Sequence, residues 1–255
     1  MIEQIQENWS ATARALGSES AQIGSTLIHT RVGVPRGGGF WNFALTASCP
    51  APSAEQTVET IQGHFHSRAV PYAVYTFDGE FHSAFLSIAE NHHLARSNTQ
   101  TIMVLSAFPH HIRDGRVRRI NATEIPRWVQ LMGRIFDREG PLLEAMGVCY
   151  LAGANGRPNA ARFYVAEVDG QFVGTACAYL ERNIAGVHSI GVLGQHRNRG
   201  LGTALTMTAV HDAVVDGASF VWLRTIAGDA AEPLYTKLGF RELTHCHAFR
   251  PRITK

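Results

Sequence analysis

Apolar positions along the chain switch between a helical and an alternating period, and the switches mark out its elements. Glu3–Leu16 has helical spacing. Ser25–Val34 and Phe40–Ser48 read as strands with PRGGG between them, and Ser53 opens S-A-E-Q. That is a capping-box pattern with Gln56 in the third position, so a helix is predicted to about Ser67. Val70–Phe77 is β-rich, Glu80–His92 helical, and Thr101–Ser106 a short apolar strand. Later come a strand at Val117–Ile120 and helices at Glu124–Phe136 and Pro141–Met146. Strands at Arg162–Val168 and Phe172–Leu180 flank Asp169-Gly170, a strong hairpin signal. Ile184–Leu193 is a strand, Gly200–Val215 a helix, Ser219–Ile226 a strand and Ala230–Lys237 a short helix. Phe240–Thr244 and Cys246–Arg250 complete the sheet.

This order predicts an α/β (α+β) fold. The polar, basic stretch at residues 108–116 reads as a linker, which puts one domain at residues 1–112 and another at 113–255. Composition adds a few exclusions. Apolar residues are 45% and charged residues 17%, enough to build a core rather than a disordered tail. A net charge of +2 is too balanced for a protein that neutralises nucleic-acid backbones. The chain has 21 Arg but only Lys237 and Lys255, which leaves lysine Schiff-base chemistry almost without candidates. Four scattered cysteines form no C-x-x-C pair. The start of the chain is acidic and amphipathic, unlike a signal peptide, and no apolar run is long enough for a membrane span. The expectation is a cytoplasmic protein with no membrane partner.

The segment richest in chemistry is Ser189–Thr203. A strand enters a basic, glycine-containing turn, which opens onto a helix with Leu201, Leu205, Ala209 and Ala213 on one stripe. A helix N-terminus carries about half a positive charge and unpaired N–H groups. Gly200 and Gly202 let a ligand approach that backbone, and Arg197 and Arg199 add charge. The turn therefore suits a phosphate or pyrophosphate. It lacks the Gly-Lys-Ser/Thr of a Walker loop, and Leu205 stands where a dinucleotide fingerprint needs its third glycine. About 35 residues after the turn comes Leu234-Tyr-Thr-Lys-Leu-Gly-Phe240, a Tyr on a short helix closed by a glycine.

Strand, Arg197-x-x-Gly200-x-Gly202, helix, strand, then Tyr235 together resemble the GNAT superfamily of N-acetyltransferases over residues 117–250. The resemblance implies a mostly antiparallel twisted sheet and acetyl-CoA as co-substrate, with no metal. By that resemblance the backbone of Ile190, Gly191 and Val192 pairs with the pantetheine arm. The N–H groups of Arg197, Asn198, Arg199, Gly200, Leu201, Gly202 and Thr203 cradle the diphosphate, and Tyr235 lies near the sulfur as general acid. The sequence departs from the family at two places. Gly228 stands where an Asn often contacts the pantetheine arm, and Gly186 where a Glu often serves as base. A substitute base is needed, because an alkylamine of pKa about 10 is roughly one part in a thousand neutral at pH 7. His188 is the first candidate: without a bulge, alternation puts it on the face of Ile190 and Val192. Glu167 and Glu181 stand behind it. A backbone N–H near Val192 would hold the developing oxyanion.

The paired histidines (His64/His66, His92/His93, His110/His111, His245/His247) lack a carboxylate at ligand spacing, so no metal site is expected, although His245 and His247 share a strand face. Arg36–Asn42 reads as a hairpin connection rather than a phosphate loop. The first half resembles, more distantly, the degenerate N-terminal halves of tandem GNAT proteins. Its expected role is to cover one side of the acceptor cleft, with Trp41 and Tyr72 setting amine selectivity. The acceptor expected is a small primary amine, a peptide being the less favoured choice, and pairing of edge strands leaves room for a homodimer. The alternative to an enzyme is a catalytically silent acyl-CoA sensor.

Overall fold

In the computed structural model, residues 1–35, 41–46, 53–108, 114–156 and 160–252 are described. The first half contains α1 (Ile2–Ala15), β1 (Glu19–Ile23), β2 (Thr26–Thr30), β3 (Phe43–Thr46), α2 (Ala54–His66), β4 (Ala73–Phe77), α3 (Glu80–Ala89) and β5 (Leu94–Leu105). The second contains β6 (Val117–Ile120), α4 (Ile125–Phe136), α5 (Gly140–Gly156), β7 (Ala161–Val168), β8 (Gln171–Glu181) and β9 (Ile184–Val192). It ends with α6 (Leu201–Val215), β10 (Phe220–Ile226), α7 (Glu232–Lys237) and β11 (Arg241–Pro251). The expected linker core (109–113) and most of the Arg36–Asn42 connection lie outside the described residues, as do His110 and His111.

All eleven strands form one mixed, mostly antiparallel sheet in the order β1-β2-β3-β4-β11-β5-β10-β9-β8-β7-β6. The halves repeat one plan. In the first, an antiparallel hairpin leads to β3, a helix, the parallel strand β4, a second helix and β5. In the second, β7 and β8 form the hairpin, followed by β9, α6, parallel β10, α7 and β11. The last strand of each half then crosses over: β5 pairs with β10, β11 pairs with β4, and the two pair with each other. Each half thus completes the other's sheet.

The packing follows from the patterning. On one face α6 buries Leu201, Leu205, Ala209 and Ala213 against β8, β9 and β10, the stripe expected from sequence. On the other face α1 crosses to the second half. Asn8 Nδ2 donates to the carbonyls of Tyr179 (3.2 Å) and Ile184 (2.9 Å), while its Oδ1 accepts from the indole N–H of Trp222 (2.8 Å). Buried polar groups are costly unless bonded, so this triple contact fixes where α1 lies. Trp9, Phe43, Tyr75 and Trp222 form the aromatic cluster around that contact.

Several expectations change in detail. Asp169 and Gly170 both adopt positive φ (50° and 70°), the type I′ turn a two-residue hairpin needs. Ser53 precedes α2 but makes no side-chain cap bond, so the capping box is not formed. The capping box occurs instead at Asn121 and Glu124, ahead of α4. β1 was not anticipated, because all five of its residues are exposed and carry no burial signal. Residues 240–250, read as two strands, form the single strand β11, which a register shift between Glu242 and Thr244 interrupts.

Candidate active site

The site begins where two neighbouring strands part. β9 and β10 run parallel but pair at only three positions, Ile184–Phe220, Ala185–Val221 and Gly186–Trp222. Beyond Trp222 they diverge, leaving the β10-facing edge of β9 through Ile190–Val192 open for added hydrogen bonds. The cause lies in β9 itself. Its pairing with β8 shifts register between Thr175–Gly191 and Cys177–His188, so Ser189 and Ile190 together oppose Ala176. Ser189 adopts φ 52°, its carbonyl accepts from the Thr175 hydroxyl (2.9 Å), and its hydroxyl meets Tyr150 Oη (3.2 Å). Such a bulge bends its strand away from a neighbour.

The bulge also reverses face parity. Val187 and Val192 both pack into the α6-side core, whereas His188 turns toward α1 and Trp222. The condition for placing His188 on the face of Val192, an uninterrupted strand, is therefore not met.

At the end of β9 the chain makes a one-turn 3-10 segment (Gly194–His196) and enters α6 through Gly200. Gly200 sits at φ 77°, a left-handed conformation that costs other residues about 1–2 kcal/mol. No side chain caps α6, and its first backbone bond runs from the Ala204 N–H to the Gly200 carbonyl (3.0 Å). The N–H groups from Asn198 to Thr203 are left without a backbone partner, as an anion seat requires, whereas the Arg197 N–H, also expected in the seat, donates instead to the Gly194 carbonyl (3.2 Å). Arg197 Nε donates to the Val192 carbonyl (3.1 Å), tying the turn to the open strand. Arg116, ion-paired with Asp114, donates to the Arg199 carbonyl (3.2 Å) and brings a further cation that sequence reading missed.

α7 packs beside this seat: a Cβ on Gly202 would lie 3.4 Å from Leu234. Its start is held by Glu232, which accepts from the Gly228 N–H (3.1 Å) and from the hydroxyl of Thr101 on β5. A strand of the first half therefore anchors the helix that carries Tyr235. Tyr235 is buried with Val192 in the same core, and burial, aided by the Asp229 charge, pushes its phenol pKa up to about 12. It keeps its proton at any physiological pH and can serve as a hydrogen-bond donor.

On the opposite face of the parting strands lies a cavity of about 140 Å³, walled by Trp9, Leu16, Phe43, Tyr179, His188 and Arg224 among others. Gly186 explains its floor. A Cβ there would fall 2.6 Å from His188 Nε2 and 2.8 Å from Asn8 Oδ1, so the imidazole occupies the space a side chain at 186 would need. Burial first, and the Arg224 charge second, push the His188 pKa down to about 3, so the ring is neutral.

Residues 129–240 match the model of the Acetyltransferase (GNAT) family. These residues form a GNAT domain. An N-alpha-acetyltransferase of Sulfurisphaera tokodaii is 37% identical over 99 residues, covering 32% of this chain and 58% of that protein, so the match spans under two thirds of the relative. The whole fold is similar to a GCN5-related N-acetyltransferase from Kribbella flavida, with TM-score 0.69 at 17% identity over 97% of this chain and 95% of that one. It is also similar to a tandem GNAT protein from the clavulanic acid biosynthesis pathway, with TM-score 0.56 at 11% identity over 90% and 79%. At these identities the two solved structures speak to the fold alone, and the fold they support is two GNAT-like halves in one chain.

Not every residue singled out from sequence reaches the GNAT domain's cleft. Tyr72 stacks on Phe65 (4.7 Å, 5°) inside the first half, and Trp41 is buried in the core around α4 and α5. Neither lines the cavity; Trp9 and Phe43 do. Glu167 is bound by Arg118 on the β6–β7 edge (2.9 Å), away from the cleft. Sequence reading missed Arg224, which stands in an otherwise apolar strand next to the splay, and the α1 contribution, since nothing local ties Asn8 to Trp222.

Of the paired histidines, His245 and His247 lie in a seam between the halves, beside His82, while His64 bonds Thr30 and His92 bonds Glu55 within the first half. Asp78, His82 and His247 bring potential ligand atoms within 4.8 Å of one another. The His82 and His247 rings stack at 3.9 Å and 12°, so their in-plane lone pairs run side by side rather than toward one point. Asp78 accepts from both His247 (2.8 Å) and His245 (3.2 Å). Thr76 bonds Nδ1 of His82 (2.7 Å), and Thr99 bonds Nδ1 of His247 (3.1 Å).

Proposed function

We propose that this protein is an acetyl-CoA-dependent N-acetyltransferase acting on a small primary amine, through a complex that holds both substrates at once. The observation that carries the reading is a continuous path: an uncapped helix N-terminus, the open edge of β9, and a separate cavity on the far side of the same splay. Acetyl-CoA supplies an activated acyl group, and the reaction replaces its C–S bond with a C–N bond and releases the thiol.

The chain's own residues have distinct tasks in this reading. The N–H groups of Asn198–Thr203 and the nearby guanidinium groups hold the diphosphate. The edge of Ile190–Val192 orients the arm, and a backbone N–H near Val192 meets charge developing on the acyl oxygen, where a dry site strengthens it. Tyr235 donates a hydrogen bond to the departing sulfur. With a phenol pKa near 12, full transfer to a thiolate of pKa about 8–9 is uphill, so the hydrogen bond is its main contribution. His188 takes over the place a carboxylate would occupy at Gly186, with a neutral Nε2 available to an amine or to a water beside it.

Release of free thiol from acetyl-CoA with a panel of primary amines tests this directly. Amine-dependent release is expected. Tight acetyl-CoA binding with no release for any amine would leave the sensor reading in its place.

A further inference from the structure

Given that reading of the β9–β10 opening as the site of transfer, we propose that the acceptor is an amine that also carries a carboxylate, an amino acid in chemical class, and that Arg224 is the residue that binds the carboxylate.

Arg224 brings to the cavity a cation with no counter-ion among the described residues. Arg224 Nη1 is buried and has no hydrogen-bond partner among the described residues. The guanidinium is positioned by aromatic faces, 3.8 Å from the Trp9 ring and 5.8 Å from that of Tyr75, and such contacts leave its N–H donors unused. A guanidinium nitrogen buried without a partner is costly even on a half-buried side chain, and a planar guanidinium fits a carboxylate through two parallel hydrogen bonds. A ligand that brings a carboxylate supplies the missing partner.

The rest of the lining narrows the class. Among the described residues it contains no Asp or Glu to await a second ammonium, which disfavours polyamines and aminoglycosides. Two neutral polar atoms on the same walls, His188 Nε2 and Tyr179 Oη, are also buried with no partner among the described residues. They sit where an amine could use them while Arg224 holds the acid. Trp9, Ala13, Leu16 and Phe43 make the remaining wall apolar, which suits a small hydrocarbon side chain. A peptide N-terminus would present an amide where Arg224 calls for a charge.

Pairing at Arg224 also affects His188. The Arg224 charge is the second cause, after burial, of the low basicity of that imidazole. A bound carboxylate offsets the charge and returns part of the basicity, so substrate binding prepares the proton acceptor.

The test uses the full chain with each common amino acid, its amide and its decarboxylated amine. Binding is measured by calorimetry in the presence of CoA, and thiol release from acetyl-CoA is measured separately. At least one amino acid should bind roughly 30-fold or more tightly than its amide and amine. Arg224→Met, which keeps a long apolar stem over Trp9, should remove that preference, so that acid, amide and amine bind within about threefold of one another. Arg224→Lys should keep part of the preference, and an unchanged melting curve shows that each variant is folded. If the unmodified protein takes amines or amides as well as acids, or binds none of the three, the carboxylate assignment is wrong. Should acids bind through Arg224 without any thiol release, the assignment stands and the transferase reading fails.

Discussion

A chain cut at residue 112 and expressed as residues 113–255 alone is expected to aggregate or remain unfolded. Expressed together, the two fragments should assemble and regain the full protein's melting behaviour. The reason is the crossing of final strands. Without β5, β10 loses its antiparallel partner from Val221 to Ile226, and β11 loses the strand it pairs with along most of its length. The fragment would expose the edge of a central strand that carries Val221, Trp222 and Leu223, all buried in the intact chain. Bare apolar edges of this kind pair with other chains. The loss of Asn8 would also leave the Trp222 indole N–H without its partner. Circular dichroism and gel filtration of each fragment, alone and mixed, check this. A monomeric, cooperatively melting 113–255 fragment would mean that the exchange contributes little.

Tyr235→Phe is expected to lower kcat by about 10²–10³-fold while changing the KM for acetyl-CoA by less than about threefold. Phenylalanine keeps the ring that packs beside Phe240, so the fold should persist. What disappears is one hydroxyl, protonated because burial holds its pKa near 12. Its value arises only as charge develops on the sulfur, which is why the loss should fall on kcat rather than on binding. Steady-state kinetics with the best acceptor check the split. Equal kcat for both proteins would remove Tyr235 from the chemistry.

The sequence reached some parts of this molecule and missed others for physical reasons. The α6 stripe, the Asp169-Gly170 turn and the glycine-containing entry to α6 are local features, encoded within a few residues, and each was legible. The pairing of β5 was not. Its first half, Leu94–Gln100, is largely polar and only partly buried, so only the apolar stretch Thr101–Ser106 announces a strand. Its partners, β10 and β11, lie more than 100 residues away and leave no local trace. The β9 bulge was hidden because Ser189 carries the positive φ, where a glycine would have marked it. α5 was read as ending at Met146 although it runs to Gly156, since its glycines interrupt the helical pattern without ending the helix. Trp41 and Tyr72, the residues expected to set amine selectivity, are buried elsewhere, and the cavity is lined by Trp9 and Phe43. Which aromatic residue reaches the cleft depends on where α1 docks, and Asn8 decides that.

The account rests on where the diphosphate of coenzyme A sits, and a crystal structure of the protein soaked with acetyl-CoA measures that most directly. The expected density places the diphosphate on the backbone N–H groups of residues 198–203, with the pantetheine arm along the open edge of β9 and the thioester pointing to the His188 side of the splay. Density for the cofactor elsewhere, with the entrance to α6 bare, would contradict it.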